Sequence, residues 1–345
     1  MTWKPKYMIS LSHEFDETLK VLVYTYRNLE LSEESKKRIR RRMSDAKAKV
    51  VFVDNEQDAF REVRDAEVVF GRITAEMLRN AKVLKWVQAP VASMGLPTGE
   101  YYIFPELAKS KIALTSMSGI YSDVVADHVF AFVTCFARSF PRLFRKQMEG
   151  VWNKDVQCRT LAGQTIGIVG LGGIGTEVAR RAAAFGMKAV ATRAHPRKPK
   201  PSFLNKVWGP RGLKNLLRES DFVVICLPHA PGTVHVIGQE ELREMKKTAY
   251  LINIGRGMNV DTDALVEALK NKQIAGAGLD VFEPPEPLPS DHPLWQMENV
   301  IITPHCAAVP TPPERREAVF LENFDRFIKG KRLLNIVDKE EMILA

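Results

Sequence analysis

Gln164-Thr-Ile-Gly-Ile-Val-Gly-Leu-Gly-Gly-Ile-Gly175 is the stretch that decides the fold. Ile166, Ile168 and Val169 make a short apolar run that reads as a buried strand ending at Gly170. Gly170, Gly172 and Gly175 then stand in G-x-G-x-x-G spacing. In a dinucleotide-binding turn these glycines have separate tasks: a tight bend, room for a pyrophosphate, and close approach of helix to strand. The helix is expected over Thr176–Phe185, with its N-terminal amides facing the phosphates. A glycine-rich turn alone says little. Set between a strand and a helix, it predicts a nucleotide cradle to which Leu171, Gly173 and Ile174 also belong.

Downstream residues bear on which nicotinamide cofactor is favoured. A site for NAD usually carries an acidic residue about 20 positions on, where it binds the adenosine ribose. Val178 to Arg218 contains no Asp or Glu. The next strand, Met187 to Thr192, is followed instead by Arg193, His195, Arg197, Lys198 and Lys200. A guanidinium at position 193 can fork onto a 2′-phosphate, which NADH lacks. NADP is therefore expected as the preferred cofactor, with NAD still admissible.

The rest of the chain extends this pattern. In the N-terminal third, candidate strands lie at Lys20–Tyr24, Val50–Val53, Glu67–Phe70, Lys85–Gln88 and Ile112–Leu114, with helices such as Ser32–Met43 and Thr74–Asn80 between them. Such alternation implies a parallel sheet covered on both faces. Ser122–Arg138 lacks Gly and Pro and is apolar nearly all round, which suits a long buried helix between domains. A second alternation runs from Gln164 to about His305. Pro313–Lys329 reads as a last helix, with Phe320, Phe324 and Phe327 as core packing.

Composition narrows the class. With 345 residues, 45% hydrophobic and 26% charged, the chain has the makings of two globular domains. No apolar run approaches the ~18 residues of a membrane helix, and no apolar signal segment follows Met1. The cysteines, Cys135, Cys158, Cys226 and Cys306, show no metal spacing, so no metal is expected and a reducing cytoplasm fits. The net charge of +9 raises the question of nucleic acid. Its densest run, Lys36–Arg42, follows Ser32-Glu33-Glu34 and reads as the solvated face of a capped helix. Neither nucleic acid nor membrane is expected as a partner.

Three segments in the second half carry reactive groups. Leu251-Ile-Asn-Ile-Gly-Arg-Gly257 is a strand with Arg256 at its carboxyl end, the side where open α/β sheets bind ligands. Ala277 to Pro287 is a strand ending in Asp280, with Glu283 and Glu286 behind it. Val300-Ile-Ile-Thr-Pro-His305 delivers a histidine through a rigid proline. Reduction of a 2-oxo acid needs a cation for the carboxylate and ketone, which Arg supplies as a planar fork. It needs a proton donor near neutral pH, where imidazole serves best, and a carboxylate beside that donor favours its charged form. Hydride comes from the cofactor.

In these residues the chain resembles the D-isomer-specific 2-hydroxyacid dehydrogenase family, near its glyoxylate/hydroxypyruvate reductase branch. The likeness spans nearly the whole chain. It rests on Gly119–His128, the glycine motif, Asn253-Ile-Gly-Arg-Gly257, Gly278-Leu-Asp-Val-Phe282, Glu286–Trp295 and Thr303-Pro-His305. The resemblance implies an oxidoreductase acting on the CH–OH group of donors, reducing glyoxylate- or hydroxypyruvate-like acids to D-2-hydroxy acids. It assigns substrate binding to Arg256 and His305, general acid/base work to His305, and pairing with His305 to Glu286. It places Asp280 near the nicotinamide, and Leu227, Pro228 and Thr233 near the adenosine half. Thr192, Arg193, Ile254, Gly255, Arg256 and His305 also line the cofactor. Two departures stand out. The family glutamate usually falls five residues after the aspartate, where this chain has Pro285; Glu286 takes its place if Pro284-Pro285 carries an extra residue, with Glu283 as the alternative. Where relatives often have glycines to cradle the substrate carboxylate, Pro90 removes one donor, leaving the amides of Val91, Ala92 and Ser93.

The expected architecture is two Rossmann-like or flavodoxin-like α/β domains with a cleft between them. Residues 1–116 and 309–345 form the substrate domain, and 117–308 the inserted cofactor domain. The resemblance implies a homodimer, with Phe140–Trp152 in the contact and Trp152 reaching the partner's site. His128 is expected to pack and hydrogen-bond, His292 and Trp295 to fix a loop, and His229 and His235 to be structural or peripheral. Two rivals remain: a cofactor-sensing corepressor-like protein, and a formate dehydrogenase relative, against which Glu286 argues because those pair His with Gln.

Overall fold

Short runs rich in Val, Ile and Phe form the strands, and capped amphipathic segments form the helices between them. The computed structural model describes residues 18–26, 29–92, 103–228, 230–283, 286–309 and 312–339. They fall into two compact units, one drawn from Met1–Ile120 with Thr311–Ala345 and the other from Tyr121–Pro310. No single helix among the described residues is long and apolar enough to cross a membrane.

The first unit has strands β1 (Lys20–Tyr24), β2 (Lys49–Val53), β3 (Val68–Gly71), β4 (Trp86–Gln88) and β5 (Ala113–Thr115). They pair in parallel in the order β2-β1-β3-β4-β5, a flavodoxin-like arrangement. Helices α1 (Glu33–Asp45), α2 (Glu56–Glu62), α3 (Ala75–Asn80) and α4 (Pro105–Lys109) connect them. Ser32, Asn55 and Thr74 cap the first three through side-chain oxygens. The C-terminal helix Pro313–Ile328 returns to this unit, where Phe320, Phe324 and Phe327 are buried. Phe320 stacks on Phe70 at 4.4 Å and on Trp86 at 5.7 Å between ring centroids.

The basic run of α1 is not simply a solvated face. Arg38 forks onto Glu317 of the C-terminal helix through Nε and Nη2, both at 2.6 Å, and Arg42 bonds Asp325. Glu317 is buried, so its charge needs that fork. Sequence spacing within α1 gives no sign of partners 279 and 283 residues away.

The second unit begins with α5 (Ser122–Ala137) and α6 (Phe140–Met148). It continues through β6 (Thr165–Val169), α7 (Gly173–Ala184), β7 (Lys188–Thr192), β8 (Lys206–Trp208), α8 (Leu213–Glu219) and β9 (Phe222–Ile225). α9 (Gln239–Glu244), β10 (Tyr250–Asn253), α10 (Thr262–Lys270), β11 (Gly276–Leu279) and β12 (Val300–Ile302) complete it. All seven strands are parallel, in the order β12-β11-β10-β9-β6-β7-β8. β6 has β7 on one side and β9 on the other, so the strand order reverses beside β6. Ligands of such sheets bind at that switch point. α5 buries Val125, Val129, Phe132, Val133 and Phe136 in the core of this unit.

α7 starts three residues earlier than expected, at Gly173 and not Thr176. Glycine is a poor helix residue in mid-helix, but Gly172 to Gly175 occupy the cap and first turn, where no intrahelical N–H bond is lost.

Candidate active site

The glycine turn leaves β6 through Gly170, whose φ of 103° lies in the region that favours glycine. A Cβ there would come within 2.9 Å of the Cys226 carbonyl oxygen. At Gly175 a Cβ would lie 2.5 Å from the Gly170 oxygen, so the helix can pack this closely only without a side chain. At Gly172 a Cβ would meet nothing within 4 Å. That open side faces the start of α7, where Gly173, Ile174 and Gly175 have N–H groups without intrahelical acceptors. The amides of Gly170 and Leu171 instead donate to the Thr192 carbonyl, at 3.2 and 2.9 Å. The cradle thus fits a pyrophosphate carried on the first turn of α7.

Arg193 follows β7. Its Nη atoms lie 3.3–3.4 Å from the Pro196 and Pro199 carbonyls, and its Nε is buried without a partner among the described residues. Such an orphaned donor fits an anionic group at the ribose end of a dinucleotide. The loop after β9 is tied by Thr233, whose hydroxyl lies 2.8 Å from the Pro228 carbonyl and 2.9 Å from the Ala230 nitrogen. Gly255 lets the neighbouring strand end approach it, since a Cβ there would sit 2.7 Å from the Leu227 oxygen.

Arg256 is held by two asparagines that the sequence reading did not single out. Asn253 accepts from the Gly255 N–H and donates to the Arg256 carbonyl, while Asn259 accepts from the Arg256 N–H at 2.9 Å. Asn259 also donates to the Thr233 carbonyl, joining this loop to the one after β9. The only signal in sequence is that both asparagines lie within seven residues of one another around Arg256. Among the described residues, the Arg256 side chain makes one hydrogen bond, from Nη1 to the Gly255 carbonyl. Burial pulls its guanidinium below the usual range, and Glu286 partly offsets this.

His305 stands three residues past β12 with a φ of 52°. For a residue with a Cβ this region costs about 1–3 kcal/mol unless its surroundings enforce it. Here the enforcement is visible. Asp280, itself 2% exposed, accepts the N–H groups of Cys306 and Ala307 at 2.9 and 3.0 Å, and the Thr303 hydroxyl at 2.6 Å. The imidazole Nδ1 lies 2.9 Å from Glu286 Oε2, and Glu286 Oε1 accepts the Phe282 N–H at 2.8 Å. Glu283 goes elsewhere: its Oε1 lies 2.6 Å from His235 Nε2. Glu286, and not Glu283, is therefore the carboxylate against His305. Pro284 and Pro285, read as carrying the extra residue, lie outside the described residues.

In the first unit, Val91 and Ala92 are half-buried beyond β4, and the Pro90 carbonyl accepts from Arg316 at 3.3 Å. Ser93 lies outside the described residues. His292 and Trp295 fix their loop, by a bond from the Leu294 N–H to His292 Nδ1 and from the indole to the Pro289 carbonyl.

The family of the D-isomer specific 2-hydroxyacid dehydrogenase, NAD binding domain, matches residues 130–307. The glyoxylate reductase of Korarchaeum cryptofilum is 40% identical over 241 residues, 68% of this chain and 72% of that one. That of Thermofilum pendens is 35% identical over 294 residues, 82% and 85% of the two chains. Among solved structures, a D-isomer specific 2-hydroxyacid dehydrogenase from Xanthobacter autotrophicus Py2, in complex with NADPH and MES, has a TM-score of 0.79. It is 28% identical, and the match covers 94% of this chain and 100% of that one. The chain belongs to the D-isomer specific 2-hydroxyacid dehydrogenases. It is an oxidoreductase that acts on the CH–OH group of its donors and uses a nicotinamide cofactor.

Proposed function

We propose that this chain reduces a small 2-oxo acid, glyoxylate or hydroxypyruvate foremost, to the D-2-hydroxy acid, with NADPH preferred over NADH. The observation that carries the reading is the 2.9 Å bond between His305 Nδ1 and Glu286 on a loop clamped by Asp280. With Nδ1 engaged, Nε2 is the atom left to give a proton to the developing alkoxide. Arg256 offers a half-buried guanidinium with a single hydrogen bond among the described residues, which suits a carboxylate and a polarised ketone. Val91, Ala92 and Ser93 are proposed from the sequence as further substrate-binding residues. The cofactor, bound on the Gly170–Gly175 turn, supplies the hydride.

The substrate class draws support from the two glyoxylate reductases. NADPH preference draws on the absence of any acid between Val178 and Arg218 and on the unpaired Arg193 Nε. The deciding experiment is oxidation of NADPH and NADH by the purified protein with glyoxylate, hydroxypyruvate and phenylpyruvate. Turnover with NADPH and the first two acids, lost by at least about a hundredfold in His305→Gln with cofactor binding retained, is the expected result. Full turnover in that variant removes His305 from the mechanism; no turnover with any pair removes the reductase reading.

A further inference from the structure

We propose that His128 is a positioning residue for His305, acting through Thr303 and Asp280; the proposal rests on reading His305 as the proton donor. α5 crosses β11 at Gly278, where even a Cβ would lie 2.8 Å from Phe132 Cγ. One helical turn back from Phe132 is about 6 Å, and two residues along the strand from Gly278 is about 6.6 Å. These matched steps bring His128 to Asp280. His128 Nε2 lies 3.0 Å from Thr303 Oγ1 and 3.7 Å from Asp280 Oδ1, with its ring edge-on to Phe132.

The direction of this chain follows from proton counting. Thr303 has one hydroxyl proton, and it points to Asp280 Oδ1 at 2.6 Å. The Thr303 oxygen therefore accepts from His128, whose Nε2 must carry a proton. The relay ends on the backbone around His305. Asp280 takes the N–H groups of the two residues after it, Cys306 and Ala307. On the other side, the His305 N–H donates to the Thr303 carbonyl at 3.0 Å. Imidazole, hydroxyl and carboxylate thus set the backbone conformation that carries the His305 ring, although His128 does not touch that ring.

His128, Asp280 and Cys306 place their polar atoms within 4.8 Å of one another, a spacing that could also hold a metal ion. The Asp280 oxygens already accept three donors, and burial together with Asp280 pushes the Cys306 thiol up, away from the thiolate a metal takes. The hydrogen-bond relay accounts for the cluster.

The test compares full-length His128→Leu, His128→Gln, Thr303→Val and Thr303→Ser with the wild type, using glyoxylate and NADPH. His128→Leu and Thr303→Val are expected to lower kcat at least about tenfold while leaving KM for glyoxylate within about twofold. The double variant is expected to be no worse than the poorer single one, as for links of one chain. Thr303→Ser and His128→Gln, which keep a donor in place, are expected to recover most of the loss. Nitrogen NMR gives readouts that need no turnover: His128 in the Nε2–H form, and His305 ring signals moved in Thr303→Val but not in Thr303→Ser. Undiminished kcat in both His128→Leu and Thr303→Val, or His128 in the Nδ1–H form, overturns the proposal. A wild type without reductase activity but with the predicted NMR pattern would sink the functional reading and leave the relay standing.

Discussion

Arg193 is the residue proposed to select NADPH over NADH. Its guanidinium rests on two loop carbonyls and has a donor to spare, so a 2′-phosphate would gain a charge-assisted contact worth roughly 1.5–3 kcal/mol. Arg193→Ala is expected to raise KM for NADPH by at least about tenfold and that for NADH by less than about threefold; equal changes for both would deny it the role. The two glutamates make a second case. Glu286→Gln is expected to lower kcat about a hundredfold, because the His305 partner is lost, while Glu283→Gln costs less than about tenfold. The reverse order in steady-state assays would refute the pairing. Sequence spacing left these glutamates as alternatives, since both follow Asp280 within six residues. Only the path of the loop separates them. Asn253 and Asn259 escaped notice for a related reason: a side chain bonded to nearby backbone leaves no periodic mark.

Among the elements, strands with apolar runs were the most legible. β1 coincides with the expected Lys20–Tyr24, and α5 departs from Ser122–Arg138 by one residue. β8 was missed: it is a three-residue edge strand, Lys206–Trp208, after a stretch rich in Lys and Pro and without apolar alternation. The contact between α5 and β11 shows what local pattern cannot supply. Gly278 is needed because Phe132 lies directly over it, 146 residues earlier in the chain. Gly278→Ala is expected to lower the melting temperature by several degrees and to reduce kcat as well, since the shifted helix carries His128; overpacking of this kind costs about 1–3 kcal/mol. A loss of stability with unchanged kcat would detach the helix from the site. Lys339, fully buried against the carbonyls of Leu107, Ser110 and Ile112 near the end of α4, is pushed down to about 8 by burial. Between about pH 8 and its ordinary 10.5 the unfolded chain binds the extra proton, so this group adds stability as pH rises through that window. Melting curves of wild type and Lys339→Met are expected to differ in slope with pH there and to run parallel below it.

At the scale of the whole molecule, α6 and the segment after it expose apolar side chains. No residue of α6 is buried, Phe140 and Phe144 pair with each other, and Met148 and Trp152 are 86% and 89% exposed. Large contiguous apolar patches on soluble proteins often serve association, which is the basis of the expectation here. We expect a homodimer by light scattering, and Phe144→Glu is expected to weaken it; a wild-type monomer would refute the assignment. In such a dimer Trp152 would approach the partner's site, so Trp152→Ala is expected to raise KM for the 2-oxo acid. The division of the first unit between both ends of the chain has a consequence for synthesis. Its five strands are complete when Thr115 has been added, yet Phe70 and Trp86 are covered by Phe320, some 200 residues later. At 5–20 residues per second the ribosome needs roughly 10–40 s to add them. For that time the nascent sheet presents two bare aromatic rings, which is the interval in which a chaperone would be of use and a premature stop would be most damaging.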